Sequence, residues 1–343
     1  MKLAKNKNKI LNANASKTLH LFGAGDLLVT AAKVGLKKNF RVIVRTSHRL
    51  FKKKSKWVKN LKKLNVPLFV NNNLSKAMQE GLKFRQGDCG ISFGAPWIFS
   101  SQWIKAWKKN LFNFHNRPLP KHRGAGGASW IILMNEKNGA STIHEISPGL
   151  DNGPILKSEK YRYPKKLKYP FEFNQYDGKK CTNFIVRHLP KILSNKIKRK
   201  SQDSNNASYW PRLNTDIHAW INWNWDISDI SKFCHAFGNP YTGAKTLING
   251  NIIYLKKIKA IKVKNKYHPF QTGLIFKKSK SGDLYISHPS GELVVSEYLI
   301  KSKYPCPKVG DRLMTPTKLI EKALRTRVQY LPSGKIKIYK SNL

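Results

Sequence analysis

The sequence predicts an α/β protein, with a Rossmann-like domain built on a mostly parallel sheet and a small C-terminal OB-like β-barrel domain. Three observations lead to this fold class. The 343 residues suffice for about two domains of ordinary size. In the first half of the chain, short apolar runs alternate with helical patterns, as in doubly wound sheets. Beyond residue 213, short β-like runs are separated by turn pairs such as Asn249-Gly250, which is typical of antiparallel strands.

The first domain begins with an apolar strand that ends in the turn Gly23-Ala-Gly25, and Asp26 is expected to cap the helix that follows. The turn lacks the third glycine of a dinucleotide-binding fingerprint, because Leu28 stands there. Arg45 also occupies the place of the acidic residue after the second strand. NAD binding is therefore only weakly supported. The predicted elements are, in order, strand 18–22, helix 26–36, strand 40–44, helix 52–64, strand 66–70 and strand 89–93.

Composition divides the chain into five segments. These are a basic tail (1–16), a catalytic α/β domain (17–200), a polar, turn-rich linker (201–212), a barrel-like domain (213–303) and a basic C-terminal extension (304–343). The predicted elements after the linker are helix 227–237, strands 244–248, 251–258, 272–276, 283–287 and 292–300, and helix 317–324.

The chain carries a large positive charge, because 65 Lys and Arg against 18 Asp and Glu give a formal net charge of +47. One interpretation is a polyanionic partner such as tRNA, DNA or a nucleotide. The other is a general bias in composition, because Lys, Asn and Ile are abundant throughout and the lysines are spread over the whole length. The two interpretations are compatible, and both remain open.

Several classes of protein are disfavoured. No run of about 18 apolar residues is present, so neither a membrane-spanning helix nor a membrane partner is expected. No apolar stretch follows the basic start Met1–Lys9, so no secretory signal is predicted. The four cysteines lie far apart without a CxxC pair, which disfavours a zinc knuckle or a disulfide scaffold and favours a cytoplasmic location.

The residues that carry chemistry are concentrated between 90 and 156. A buried strand runs into the turn Gly94–Ile98, and ligands bind past the carboxyl ends of strands in open parallel sheets. Asn113 and His115 point to one face of the next strand, because side chains alternate along a strand. A second Gly-rich loop carries the carboxylate of Asp151.

Asn, His and Asp together suit the transfer of an acyl group to an amine. The amide and the imidazole can donate hydrogen bonds to a developing oxyanion. The carboxylate can raise the pKa of the histidine and take a proton from the amine. No GxSxG motif or obvious nucleophilic Cys or Ser is present, so direct attack by the amine is expected, without a covalent enzyme intermediate. The other histidines show no metal-ligand spacing, so no metal is predicted.

The combined pattern resembles the 10-formyltetrahydrofolate-dependent formyltransferases, which include methionyl-tRNA formyltransferase and the sugar N-formyltransferases. The matching motifs, in order, are Asn113-x-His115, Pro118-Leu-Pro120-x-x-Arg123-Gly124 and Gly149-Leu-Asp151-x-Gly153. The resemblance is strong over 85–160 and weaker over 18–84. It returns over 220–260, which is similar to the start of the family's C-terminal barrel.

The resemblance implies a role for each of these positions. Asn113, His115 and Asp151 would form a catalytic triad, in which the first two polarise the formyl oxygen. Asp151 would keep His115 charged and help to order a proton-relay water. The co-substrate would be 10-formyltetrahydrofolate, held largely through backbone contacts. The implied cofactor-binding residues are Phe93, Gly94, Ala95, Pro96, Trp97, Ile98, Ser147, Pro148, Gly149 and Leu150, and the implied substrate-binding residues are Arg117, Pro118, Arg123 and Gly124.

The acceptor amine remains open between two classes. The segment Asn116–Pro120 departs from the loop usual in tRNA-acting members, and the basic stretch Arg45–Lys63 is somewhat short for their insertion, which favours a nucleotide-linked amino sugar or another small amine. The net charge of +47 favours methionyl-tRNA. A third hypothesis, a basic nucleic-acid-binding module that keeps the fold without the activity, is disfavoured by the intact Asn-His-Asp set.

Overall fold

A seven-stranded sheet forms the scaffold of the first half of the chain. The computed structural model describes residues 17–74, 85–125, 127–194, 197–263, 266–301 and 306–341, so the tail predicted over 1–16 lies outside the described residues. The strands of this half are β1 (Thr18–Gly23), β2 (Arg41–Thr46), β3 (Leu68–Val70), β4 (Cys89–Phe93), β5 (Leu111–His115), β6 (Arg123–Gly124), β7 (Asn138–Glu145), β8 (Ile155–Arg162) and β9 (Tyr209–Trp210).

The large sheet has the order β3-β2-β1-β4-β5-β7-β8, and β6 pairs with β9 outside it. Strands β1 to β5 run parallel. Beyond β5, strand β7 pairs antiparallel with β5, and β8 pairs antiparallel with β7 and so runs in the direction of the first five strands. The carboxyl ends of five strands therefore meet at one edge, as the alternating sequence pattern predicts. Because β5 is flanked by β4 and β7, its side chains have neighbours on both sides.

Helices cover both faces of this sheet. They are α1 (Asp26–Lys37), α2 (Lys56–Lys63), α3 (Ser101–Ala106), α4 (Ala128–Leu133) and α5 (Pro170–Leu193). The first helix packs closely on β1 and β2, since a Cβ at Gly35 would lie 2.6 Å from the Cδ2 atom of Leu19. Gly25, and not Asp26 as predicted, is the N-cap residue of α1, and Asp26 lies in its first turn. There its charge still opposes the positive end of the helix dipole.

The second sheet contains six antiparallel strands. They are β10 (Ala244–Ile248), β11 (Asn251–Lys262), β12 (Ile275–Lys278), β13 (Leu284–His288), β14 (Gly291–Ile300) and β15 (Leu313–Met314), in the spatial order β12-β13-β14-β11-β10-β15. The two edges meet at one end, where Leu274 bridges to Arg312 and the amide of Leu313 donates to the carbonyl of Gly273. The sheet is therefore a half-barrel, and the predicted fold class is confirmed.

Two helices precede the half-barrel, α6 (Thr215–His218) and α7 (Ile227–Ala236), and one follows it, α8 (Thr317–Leu324). After α8 the chain forms a hairpin of β16 (Thr326–Tyr330) and β17 (Ile336–Lys340), with Gly334 in its turn at φ +95°. Helix α8 has the bounds predicted for it, whereas the hairpin, which lies in the predicted basic C-terminal extension (304–343), was not predicted.

One hydrophobic core joins the two halves of the chain. Its members from the first half include Ile131 of α4 and Phe173 of α5, and they pack with Phe237 and the apolar faces of the half-barrel strands. Trp210, which falls in the predicted linker, is buried in the same core. None of the helices in the described ranges is long and apolar enough to cross a membrane.

Candidate active site

The site is built on the strand β5 and its antiparallel neighbour β7. Asn113 and His115 lie on β5 at the end of a buried run, and the register places Asn113 opposite His144. The chain after β7 then folds back over this face in the loop 146–154, which carries Asp151. Gly153 allows the loop to approach β7, since a Cβ there would lie 1.9 Å from the carbonyl oxygen of Glu145.

The carboxylate of Asp151 is the centre of the site. Its Oδ2 accepts a hydrogen bond from the backbone amide of Gly124 at 2.9 Å and lies 3.8 Å from Nδ1 of His115. Its Oδ1 accepts from Nδ2 of Asn113 at 3.2 Å and lies 3.4 Å from Nε2 of His144. The structure thus brings together the three residues predicted to form a triad, and it adds His144 to them.

The carboxylate is held ionised. Burial alone would raise the pKa of Asp151, but the hydrogen bond with His144, the nearby imidazoles and the amide of Gly124 lower it to about 2. A buried carboxyl without such neighbours would have a raised pKa, so the surrounding groups determine that Asp151 is charged.

His115 differs from the expectation that Asp151 keeps it charged. Its ring is buried, and this burial lowers its pKa below the usual value of 6.5 although the charge of Asp151 acts in the opposite direction. Desolvation of the imidazolium therefore outweighs attraction across 3.8 Å, and the ring is neutral near pH 7. Its Nε2 lies 2.7 Å from the carbonyl oxygen of His122, which can only accept, so Nε2 carries the hydrogen. Nδ1 of His115 is left free of a proton beside Asp151.

The amide of Asn113 faces both the carboxylate and His144. Its Nδ2 donates to Oδ1 of Asp151 at 3.2 Å and lies 3.2 Å from Nε2 of His144, and these two neighbours are 3.4 Å apart. Because Nδ2 carries two hydrogens, it can donate one to a ligand while the other stays on the carboxylate.

Two residues of the site were not predicted. His144 was grouped with the histidines that show no pattern, and only the β5–β7 register reveals that it faces Asn113. Gln202, which falls in the predicted linker, fixes the Asp151 loop from outside. Its Nε2 donates to the carbonyls of Asp151 at 2.8 Å and Gly153 at 2.7 Å, and its Oε1 accepts from Arg123. The only local signal was that 201–212 is polar.

The residues predicted to bind the cofactor fall in two loops, and they divide by exposure. Ile98 is 84 % exposed and Leu150 is 56 % exposed, so the two loops offer apolar surface to a ligand. Phe93 and Trp97 are buried instead. Phe93 stacks on Phe114 with ring centroids 5.5 Å apart, and Trp97 donates its indole hydrogen to the carbonyl of Asn72. The remaining members are Gly94, Ala95, Pro96, Ser147, Pro148 and Gly149.

The predicted substrate-binding residues occupy different depths. Gly124 and Arg123 lie beside Asp151, directly or through Gln202. Pro118 begins the turn that leads to them, since its carbonyl accepts from the amide of His122. Arg117 is only 1 % exposed, and its Nη1 is 2.7 Å from Oδ2 of Asp177. The structure therefore buries Arg117 in the interior, where its guanidinium is not exposed to a ligand.

Two family models match the chain. The one described as "Formyl transferase" matches residues 33–163, which include β5, β7 and the loop of Asp151. The one described as "Formyl transferase, C-terminal domain" matches residues 215–308, which include α7 and most of the half-barrel. Together they cover both halves of the fold in the order found here.

Curated relatives carry two kinds of name. The chain is 31 % identical over 192 residues to methionyl-tRNA formyltransferase of Rickettsia bellii, an alignment of 55 % of this chain and 59 % of that one. It is 27 % identical over 215 residues to the bifunctional polymyxin resistance protein ArnA of Wigglesworthia glossinidia brevipalpis, over 61 % of this chain and 31 % of that one. The chain thus spans less than two thirds of either relative.

Solved structures share the fold over more of the chain. WlaRD, a sugar 3N-formyl transferase determined in the presence of dTDP and 5-N-formyl-THF, superposes with a TM-score of 0.62 at 20 % identity, covering 84 % of this chain and 98 % of that one. The N-formyltransferase from Helicobacter canadensis, in complex with folinic acid and dTDP-3-aminofucose, gives 0.61 at 18 % identity, covering 81 % and 98 %. These likenesses concern the fold, and they agree with the family matches in both halves. The chain belongs to the formyl transferase family.

Proposed function

We propose that this protein transfers a formyl group from 10-formyltetrahydrofolate to a primary amine. The observation that carries the proposal is the buried cluster in which an ionised Asp151 faces the free Nδ1 of a neutral His115, beside a hydrogen of Asn113. This cluster offers a proton acceptor, a charge to stabilise it once protonated, and a donor for an oxyanion. In this proposal Asn113, His115 and Asp151 are the catalytic residues.

The reaction is an exchange of one C–N bond for another. The amine nitrogen attacks the formyl carbon, a new C–N bond forms, and the carbonyl electrons move onto oxygen, where Asn113 donates its hydrogen bond. A proton of the attacking nitrogen passes to Nδ1 of His115, directly or through water, and Asp151 stabilises the imidazolium across 3.8 Å. The bond from carbon to the folate nitrogen then breaks, and that nitrogen takes the electron pair and the proton from His115.

The two loops on either side of the cluster fit a folate. The exposed Ile98 and Leu150 present apolar surface suited to a flat ring, while the turn Gly94–Ile98 and the loop Ser147–Leu150 offer backbone groups. WlaRD and the Helicobacter canadensis enzyme were solved with 5-N-formyl-THF and folinic acid, which supports a folate here. Residues 17–200 would form the catalytic domain and 213–303 the C-terminal domain, joined by 201–212, with extensions at 1–16 and 304–343.

The acceptor we propose first is a nucleotide-linked amino sugar. WlaRD is a sugar 3N-formyl transferase, and the Helicobacter canadensis enzyme was solved with dTDP-3-aminofucose, which supports this acceptor class. Methionyl-tRNA is the second candidate, and the observations that favour it are the net charge of +47 and the name of the Rickettsia bellii relative. In both cases the acceptor carries a primary amine and a nucleotide.

The proposal is tested by a formyl-transfer assay with the purified full chain and 10-formyltetrahydrofolate. Separate reactions contain methionine-charged initiator tRNA, a panel of nucleotide-linked amino sugars, or no acceptor. Release of tetrahydrofolate that depends on an amino sugar supports the first acceptor, and formylated methionyl-tRNA supports the second. Release in no reaction, with protein that shows one cooperative thermal transition, contradicts the proposed function.

A further inference from the structure

A cavity of about 950 Å³ lies where the C-terminal segment meets the two domains. We refer to it as the C-terminal cavity. Its walls come from α4, the segment Pro211–Leu213, α7 and residues 323–341. The volume lies in the range of small-molecule sites, which are mostly apolar with a few polar groups.

The wall from the C-terminal segment lies outside the residues that the family models match. The family models end at residue 308, whereas α8, β16 and β17 lie beyond it. This segment is nevertheless firmly attached. The carbonyl of Thr326 accepts from Nε2 of His218 at 2.9 Å, and Nδ2 of Asn214 donates to the hydroxyl of Tyr330 at 2.7 Å. The cavity is therefore formed before any ligand arrives.

A second anchor ties the hairpin to the carboxyl edge of the parallel sheet. The guanidinium carbons of Arg49 and Arg212 lie 4.6 Å and 5.4 Å from the ring centroid of Tyr330. The amide of Arg49 donates to the carbonyl of Pro332 at 3.1 Å. Because Arg49 follows β2, the hairpin stands at the edge where the candidate active site lies.

The cavity combines an aromatic floor with a cationic rim. Trp130, Trp225, Phe233 and Phe237 supply apolar surface. The charged side chains at the wall are Arg212, Lys232, Arg325, Arg327, Lys340 and, as the single carboxylate, Asp229, which pairs with Lys232 at 2.7 Å.

A smaller cavity of about 440 Å³ adjoins the first and is far more polar. The two share Arg325, Thr326, Lys340 and Ser341, and the smaller one adds Lys318 and Lys322 with the carboxylate of Glu321. An apolar aromatic space thus adjoins a cationic one. This order suits a ligand with a flat ring at one end and phosphates at the other, since bases stack on aromatic side chains and phosphates bind Arg and Lys.

The wall of the C-terminal cavity is connected to the candidate active site by hydrogen bonds. Trp130 in this wall donates its indole hydrogen to the carbonyl of Pro211 at 2.7 Å, and Pro211 follows Trp210 of β9. The strand β9 pairs with Gly124, whose amide binds Asp151. The strand pair β6–β9 therefore links the wall of the cavity to the carboxylate of Asp151.

We propose that the C-terminal cavity binds the nucleotide portion of the acceptor, with the base on the aromatic floor and the phosphates between Arg325 and Lys340. The inference rests on the proposed function in assigning the nucleotide to the acceptor, but nucleotide binding can be measured without any formyl transfer. The same chemistry is present in a nucleotide-linked sugar and in the 3′ end of a tRNA.

Calorimetric titration of the full chain, without folate, tests the inference. The probes are thymidine diphosphate and the trinucleotide CCA. Arg325→Glu and Lys340→Glu are each expected to weaken binding by about tenfold or more, as for loss of one charge-assisted hydrogen bond. Lys179→Glu, on the exposed side of α5, makes the same change in net charge away from the cavity and should leave binding unchanged. Thermal unfolding of each variant shows that it is folded.

Each outcome supports or overturns either this inference or the proposed function. Binding of either probe that is lost in the two cavity variants and kept in Lys179→Glu supports the inference. Preference for thymidine diphosphate indicates a nucleotide-linked acceptor, and preference for CCA indicates tRNA. Absence of binding, or equal weakening in Lys179→Glu, overturns it, and formyl transfer that is still measured then leaves the proposed function intact. Nucleotide binding without any formyl transfer would contradict the proposed function alone.

Discussion

The charge of Asp151 is determined by residues from distant parts of the chain. His144 comes from β7, His115 from β5 and the amide of Gly124 from β6, and together they hold the carboxylate ionised. His115 contacts the same carboxylate less closely, so burial keeps its ring neutral. The site therefore holds one negative charge and one proton acceptor before a substrate binds, and this division of roles leads to two predictions.

Asp151→Asn should reduce kcat by about 10²–10⁴-fold, because the imidazolium formed on His115 loses its stabilising charge. Folate binding should be largely retained, because the proposed folate contacts lie in the Gly94–Ile98 turn and the backbone of the neighbouring loop. Steady-state kinetics with titration of a folate analogue separates the two quantities. Asp203→Asn, an exposed carboxylate in the segment before β9, is the matched control. Turnover that is unchanged in Asp151→Asn would remove Asp151 from the mechanism.

The pH dependence of kcat/KM should report His115. Its pKa is lowered from 6.5, so activity should fall as the pH drops through a midpoint below 6.5, where Nδ1 already holds a proton and cannot accept one. Asp151, with a pKa of about 2, contributes no limb above pH 4. In Asp151→Asn the residual activity should show a still lower midpoint, since the charge of Asp151 raises the pKa of His115. An NMR titration of the His115 ring checks the assignment, and a midpoint above 6.5 would contradict it.

At the scale of elements, strands with a regular apolar pattern can be predicted from the sequence, whereas strand pairs between distant parts of the chain cannot. Strands β4, β10, β13 and β14 follow their predicted positions to within one residue, because buried strands have a recognisable apolar pattern. Strand β11 extends four residues further than predicted, β12 begins three residues later, and the two-residue strand β15 was not predicted. The two-residue pair β6–β9 has no period to detect, and it connects residues more than 80 positions apart. For the same reason the position of Gln202 could not be predicted, whereas the family resemblance is enough to propose Asn113, His115 and Asp151 as a triad, and the structure places these three together.

The helix α5 supports the site through a buried ion pair. Asp177 of α5 binds Arg117 and accepts hydrogen bonds from the hydroxyls of Tyr161 and Tyr163 at 2.7 Å and 2.9 Å. Arg117 comes two residues after the end of β5, and its charge pairs with Asp177 in the interior. This arrangement gives Arg117 a positioning task in place of the direct substrate contact that its motif implies.

Asp177→Asn should therefore destabilise the fold by about 3–5 kcal/mol, because it leaves a buried guanidinium without its counter-charge. Combining Arg117→Met with Asp177→Asn should cost less than the single change, since no charge then remains buried and the amide oxygen at position 177 can still accept from the two tyrosine hydroxyls. Chemical denaturation of the three proteins measures these differences. If Arg117 instead bound substrate, the double variant would show a raised KM for the acceptor with little change in the free energy of unfolding.

At the scale of the whole molecule, the excess positive charge lowers the stability of the fold but strengthens the binding of phosphates. With 65 cations and 18 anions, most Lys and Arg side chains lack a carboxylate partner, and the folded chain concentrates their repulsion. The hydrophobic core that joins α4 and α5 to the half-barrel must hold the two halves together against this repulsion. Salt screens exposed charges over about 8–10 Å at physiological ionic strength, so it should relieve part of that cost.

Raising NaCl from low to moderate concentration should therefore raise the Tm of the protein, by roughly 1–2 °C for each kcal/mol of repulsion screened in a chain of this length. The same salt should weaken nucleotide binding at the C-terminal cavity, because phosphate contacts made by Arg and Lys are screened as well. Differential scanning calorimetry and titration over one salt series measure both trends. The variants Arg325→Glu and Lys340→Glu should reduce the salt dependence of binding while leaving that of Tm nearly unchanged, because each removes one local cation from a large total. A Tm that does not change with salt would mean that the cations are spaced too widely to repel one another. The excess charge would then affect only binding, at places where the phosphates of a ligand contact several cations.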